Sequence, residues 1–291
     1  MKSHHLFLSV LLATFLCSSA PVYAESAKIT SDKMLVDKET NIMKLLGNVF
    51  ALRQATGGTL RAEELELTRS KETDQLTYGK AEGKVVLHEE LDIVLCEYLN
   101  FDDSSKIAIL QGDVFVTTGE IFLKGHKLRY NYEEEKGRLY AKSQGETEAS
   151  FYREKPDKNG NRMPINAWAK EIIINRPLGK LTLQGGVRIL DESDGSTMNA
   201  ERMDVYLNKD ESLKEIVADG NFQMEQPGRS AKSNRAILDY ITEIITLTGN
   251  AYLKEVGEAA VQSQRIEMHM DSEKGMLKGE DKKQVTVELE F

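Results

Sequence analysis

A glycine followed two and four positions later by apolar residues recurs six times in this chain, and a repeat of that kind constrains the fold more tightly than any single motif. The copies are Gly47 with Val49 and Ala51, Gly83 with Val85 and Leu87, Gly112 with Val114 and Val116, Gly186 with Val187 and Ile189 (one residue tighter), Gly220 with Phe222 and Met224, and Gly249 with Ala251 and Leu253. Each reads as a turn entering a strand whose side chains alternate between two faces. The glycines stand 36 and 29 residues apart in the first three copies and 34 and 29 in the second three, which is the pattern of one duplicated block.

Residue identities carry the same duplication. At an offset of 137, Leu76 falls on Leu213, Gly83 on Gly220, Ile107 on Ile244, Leu110 on Leu247 and Gly112 on Gly249. At 138, Glu135-Lys136-Gly137 falls on Glu273-Lys274-Gly275, and Leu60 to Leu65 resembles Met198 to Met203. The turn-rich stretch Lys155-Pro156-Asp157-Lys158-Asn159-Gly160-Asn161 separates the copies, so the expected organisation is a leader over 1–24, a first β domain over 25–158 and a second over 159–291. Runs such as Leu128-Arg129-Tyr130-Asn131-Tyr132 and Ile266-Glu267-Met268-His269-Met270 alternate with period two, and helical spacing is scarce. The fold class is all-β, a sandwich or a rolled sheet.

The N-terminus has the three parts of an export signal: Lys2, the apolar run Leu6 to Leu16, and Val22-Tyr23-Ala24, with cleavage expected after Ala24. A run of eleven residues is shorter than the roughly 20 that span a bilayer. Removal of that leader takes one Lys and no acid, leaving 37 basic against 47 acidic side chains, a net of −10. Such a surface argues against nucleic acid as a partner, because phosphate neutralisation needs concentrated Lys and Arg. Cys96 then remains as the one cysteine, so stability must come from burial and not from an internal disulfide.

No catalytic constellation stands out. His88, His126 and His269 lie outside metal-ligand spacing of one another and of Cys96, and no nucleophile elbow, phosphate-cradling loop or dinucleotide fingerprint occurs. The expectation is a non-enzyme with neither metal nor cofactor. Asp102-Asp103 and Glu133-Glu134-Glu135 read as solvated turns, and His126 as an exposed side chain beside Lys124 and Lys127. What the pattern does offer is a face: Val49, Val85, Leu87, Val114, Val116, Ile189, Phe222, Met224 and Leu253 should line one interior, either a packed core or an apolar groove that accepts lipid.

The composite pattern resembles the OstA/LptA family of lipopolysaccharide-export proteins. The resemblance is carried by Ile29-Thr30-Ser31-Asp32-Lys33 leading to Leu46-Gly47-Asn48-Val49, by Leu60 to Leu65, by Leu110-Gln111-Gly112-Asp113-Val114, and in the second half by Met198-Asn199-Ala200-Glu201 and Leu247-Thr248-Gly249-Asn250-Ala251. It implies an elongated β-jellyroll, here two tandem repeats stacked end to end, whose interior holds lipid A acyl chains in the periplasm. It also implies that edge strands join LptC-like and LptD-like export components, or further copies of the chain, into a bridge between the membranes. That conduit should have an interior without packed aromatic rings. The competing readings are an LptC-like component anchored in the inner membrane, an envelope scaffold with a filled core, and a polysaccharide-degrading enzyme on a parallel β-helix, whose coils would recur more tightly than these strands do.

Overall fold

The structure, a computed structural model, describes residues 27–152, 160–161, 163–270 and 286–288, with short gaps at 55, 74, 90–91, 119–120, 144 and 258–259. The leader and its cleavage site, most of the expected linker and the Glu273-Lys274-Gly275 copy lie outside the described residues. Two compact units are present, Met1–Gln144 with Ile174–Pro177, and Gly145–Ile173 with Leu178–Phe291, so the division falls ahead of the boundary expected near Asn159.

The first unit is an antiparallel meander of β1 (Ala27–Thr30), β2 (Lys33–Asp37), β3 (Ile42–Arg53), β4 (Thr59–Arg69), β5 (Leu76–Glu89), β6 (Asp92–Asp102), β7 (Ile107–Thr118), β8 (Ile121–Asn131) and β9 (Lys136–Tyr140). From β3 onward each strand pairs with its successor, while β1 and β2 pair with the two ends of β3 as one interrupted strand. The second unit holds β10 (Thr147–Tyr152), β11 (Pro164–Ala169), β12 (Glu171–Asn175, its last two residues clustering with the first unit), β13 (Lys180–Asp191), β14 (Ser196–Leu207), β15 (Leu213–Gln226), β16 (Arg229–Asp239), β17 (Ile244–Glu255), β18 (Ala260–His269) and β19 (Thr286–Glu288). Here β10 pairs with β11, β11 with β13, and β13 to β19 each with the next. A 3-10 turn at Arg176–Leu178 is the one helical element among the described residues. The duplication is visible strand by strand: β5, β6 and β7 open at Leu76, Asp92 and Ile107, and β15, β16 and β17 open 137 residues later at Leu213, Arg229 and Ile244.

The repeated glycines are not turns between strands. Each sits in the middle of a long strand, at a point where the pairing register slips by one residue: between Leu46 and Val49, Glu82 and Val85, Gln111 and Val114, Gln184 and Val187, Asp219 and Phe222, and Thr248 and Ala251. These are β-bulges, which leave an extra residue unpaired and bend the strand. At Gly112 the backbone has φ 81° and the next residue, Asp113, also has positive φ, 42°. A Cβ on Gly112 would sit 2.3 Å from the Glu97 carboxylate packed across it, so both the conformation and the space call for glycine. The slip between Gln184 and Val187 makes Gly185, not Gly186, the equivalent residue of the fourth copy. Counted from Gly185, Val187 and Ile189 regain the spacing of two and four, and the apparent irregularity disappears.

Strands that face a bulge answer it with a change of parity. On β4 the buried residues are Leu60 and Ala62, then Leu65 and Leu67, with Glu63 and Glu64 adjacent between them. On β6 they are Val94 and Cys96, then Leu99 and Phe101, around Glu97 and Tyr98; on β14 they are Met198 and Ala200, then Met203 and Val205, around Glu201 and Arg202. Each sheet therefore creases along a line of bulges yet keeps the same apolar face inward on both sides. With no second layer among the described residues to cover that face, the sheet buries it by rolling onto itself, and this gives the all-β jellyroll.

One inward row shows how tightly the two units differ in filling. In the first unit it runs Gly79, Phe101, Ala108, Tyr130, Gly137, with large residues beside small ones. In the second the equivalent row is Ile216, Leu238, Ile245, Met268, aliphatic throughout. A Cβ on Gly79 would stand 1.8 Å from the Phe101 ring. Gly79→Ala should cost about 1–3 kcal/mol of stability through overpacking. Adding Phe101→Leu should destabilise by less than the sum of the two single changes, read from denaturant unfolding; strict additivity would contradict the assigned ring position.

Candidate functional site

All nine residues expected to face inward are buried, at most 4 % exposed. They occupy the bulged strands just past the bulge, Val49, Val85, Leu87, Val114 and Val116 in the first unit and Ile189, Phe222, Met224 and Leu253 in the second. Cross-strand neighbours complete the surface: Leu87 lies between Leu60 and Val94, Val116 between Val94 and Leu123, and Met224 between Met198 and Ala231. The sequence reading missed the other arm of each roll, which holds Leu45, Leu65, Leu99, Leu110 and Leu128 in the first unit and Leu183, Met203, Ala218 and Leu247 in the second. The signal was present in adjacent polar pairs such as Glu63-Glu64, where the inward parity changes within one continuous strand.

The interior differs from the expected conduit in two respects. Four rings, Phe101, Tyr130, Phe151 and Phe222, are among its largest fully buried side chains, so packed aromatics are present where none were expected. The inward side chains also leave almost no surface to water, so an acyl chain would have to part the walls to enter. Within this apolar volume the Tyr130 hydroxyl is buried and has no hydrogen-bond partner among the described residues, and burial drives its pKa upward. His126, expected at the surface, is partly buried, and its Nδ1 likewise has no partner.

The carboxylates that might have suggested chemistry organise turns instead. Asp102 accepts hydrogen bonds from the backbone and hydroxyl of Ser104 at 2.9 and 2.7 Å and from the Ser105 hydroxyl at 3.0 Å, and the Ser104 hydroxyl leads the set of contacts that hold its pKa down. Asp103 pairs with Lys106 at 2.6 Å and Glu134 with Lys136 at 3.1 Å. Cys96 faces inward on β6, and burial pushes its thiol up to about 12. At pH 8 a thiol-reactive dye should label Cys96 slowly in the folded protein and at the ordinary rate in denaturant. Rapid labelling of the folded chain would place the side chain elsewhere.

An ion cluster lies on the second unit, away from the inward row. Asp204 on β14 accepts hydrogen bonds from Thr182 Oγ1 at 2.6 Å and Lys180 Nζ at 2.9 Å, and Arg202 reaches it at 3.1 Å. Burial alone would raise the Asp204 pKa, but the Thr182 hydroxyl and the two cations outweigh it and hold the group below its ordinary value. Lys180 is raised, chiefly by its hydrogen bond to Asp204. The stability linked to Asp204 is therefore complete above the unfolded carboxylate pKa, about 3.9, and is lost as pH falls through the lowered folded value. That linked to Lys180 is complete below about 10.4 and is lost as pH rises through the raised value. Asp204→Ala should cost about 1–3 kcal/mol at pH 7, because it strands the buried Thr182 hydroxyl and the part-buried Lys180 ammonium, and less as the pH approaches 2. Thermal unfolding across pH measures this, and a pH-independent loss would refute the linkage.

The edge of the first unit is also distinctive. β2 is exposed along its whole length, with Met34, Leu35 and Val36 at 53, 45 and 57 %. Its counterpart 138 residues later, β12, alternates normally, with Ile172 and Ile174 buried.

The sequence matches a family described as LptA/(LptD N-terminal domain) LPS transport protein, over residues 94–197 and again over 174–274. Among solved structures, the crystal structure of LptH, the LptA homologous periplasmic component of the lipopolysaccharide transport device of Pseudomonas aeruginosa, aligns with 41 % of this chain and 85 % of its own at 11 % identity and a TM-score of 0.35. That likeness is too distant to carry an argument of its own. No curated protein matches the sequence.

Proposed function

Because the chain belongs to the LptA and LptD N-terminal domain family of lipopolysaccharide transport proteins, we propose that it binds the lipid A acyl chains of lipopolysaccharide inside its rolled sheets and helps to move them towards the outer membrane. The family is one of transport and binding proteins, not of enzymes. The observation that carries the reading is the unbroken apolar face on both sides of each crease, which a chain carrying this much charge maintains through six bulges. Val49, Val85, Leu87, Val114, Val116, Ile189, Phe222, Met224 and Leu253 are the proposed contacts. Acyl burial at about 0.8 kcal/mol per methylene amounts to roughly 10 kcal/mol for a chain of about a dozen carbons.

Export after cleavage behind Ala24 would deliver the protein to the periplasm. The exposed strand β2 supports the partner reading: an apolar edge strand is a template for another strand, so an LptC-like or LptD-like component, or a second copy, would add to it by β-augmentation. One observation favours a second reading, a filled structural scaffold: the interior is closed and holds four packed rings. The two readings part in a single experiment. A photo-crosslinking residue at Val116 or Met224 should capture labelled lipopolysaccharide, while one at Glu134, on the β8–β9 turn, should not. Equal capture at all three positions, or none at the inward two, would remove the transport reading and leave the scaffold.

A further inference from the structure

The duplicated fold supplies an internal control, since the outward rows of the two units can be compared position by position. In the second unit one outward row crosses six strands as Trp168, Arg188, Asn199, Gln223, Lys232, Tyr252, and reaches Gln262 on a seventh. In the first unit the equivalent row is Thr30, Phe50, Arg61, Val86, Leu95, Phe115, Lys124, with apolar residues at the places of Arg188, Gln223, Lys232 and Tyr252. The scaffold imposes the same geometry on both rows. The difference in chemistry therefore belongs to the residues and not to the fold.

We propose that the second unit's outer row is a binding strip for an anionic oligosaccharide. Three properties support it. First, the hydrogen-bonding capacity of the row is unspent: Asn199, Gln223, Lys232, Tyr252 and Gln262 have no side-chain hydrogen bond or ion pair among the described residues. The nearby amide Asn221, by contrast, is committed to Glu201 at 2.7 Å. Amides both donate and accept, which suits sugar hydroxyls that do the same. Second, the row carries two cations and no carboxylate, in a protein of net charge −9. The Arg188 guanidinium lies 4.2 Å above the Trp168 ring, which holds its planar fork ready for a phosphate or a sugar acid. Glu146 approaches Arg188 at 3.6 Å, and Glu148 stands beyond Trp168 at the end of the row, so the acids border the strip and do not interrupt it. Third, Trp168 and Tyr252 are half-buried and offer aromatic surface on which the C–H faces of a sugar ring can stack.

Neighbouring strands lie about 4.8 Å apart, so the row extends roughly 29 Å across the wall, room for several sugar units in line. Two cations are too few for a nucleic acid in so acidic a chain, and the amide-rich surface lacks the apolar centre of a protein interface. The strip stands beside the transport reading and does not depend on it.

The probe is the oligosaccharide freed from lipopolysaccharide by complete removal of its acyl chains, titrated calorimetrically into the full chain. Saturable binding is expected, with an Arg188→Gln, Lys232→Gln double variant weaker by about ten-fold or more and an Asn199→Ala, Gln223→Ala variant weaker than the parent. These positions are exposed, so the variants should unfold at the parent's temperature and should keep the acyl crosslink at Val116 and Met224. No saturable binding, undiminished binding by the double variant, or equally tight binding of a single-stranded oligonucleotide would overturn the proposal. Saccharide binding without any acyl crosslink would refute the transport reading and leave the strip intact.

Discussion

Every long strand in this protein has to pass a crease without turning its apolar side outward. The bulge meets that demand. An extra residue on one strand, held at positive φ beside a glycine, is matched on the next strand by two adjacent outward residues, so the inward set resumes in step on both. Side chains from the partner strand close over each glycine, Glu63 over Gly83, Glu97 over Gly112 and Glu201 over Gly220. In two places the residue after the glycine is tied to the same column, Asn48 to Asp32 at 2.9 Å and Asn221 to Glu201 at 2.7 Å. The polar column on the outside and the apolar face on the inside are two consequences of one backbone device.

Rolling the sheet makes the interior and exterior independent surfaces. Inside, the second unit keeps an aliphatic row where the first alternates rings with glycine and alanine and buries an unpaired phenol. Outside, Arg188, Gln223, Lys232 and Tyr252 of the second unit stand where the first has Phe50, Val86, Leu95 and Phe115. The exposed strand β2 adds a third difference, because its equivalent β12 buries alternate residues.

The fold class and the duplication are legible in the sequence, and the nine residues that read as inward-facing are buried. All of these follow from short-range pattern. Period two is a property of a single strand, and the residues two and four past each glycine lie on one uninterrupted segment. The reading failed where a strand's parity changes. Glu63-Glu64 and Glu97-Tyr98 look in sequence like polar ends of strands, so Leu65, Leu67, Leu99 and Phe101 beyond them were not assigned to the same interior. In sequence the glycines read as turns for the same reason: a positive-φ glycine marks a change of direction, and sequence does not say whether the chain reverses or merely bends.

Sequence alone determined that the chain is built of alternating strands and that the block occurs twice. Tertiary structure decided which residues become neighbours across strands. The rows from Gly79 to Gly137 and from Trp168 to Gln262 join positions tens of residues apart, and their membership depends on where the one-residue slips fall. A slip leaves little local signature, yet it reassigns every cross-strand contact beyond it, because side chains on a strand have only two directions in which to point.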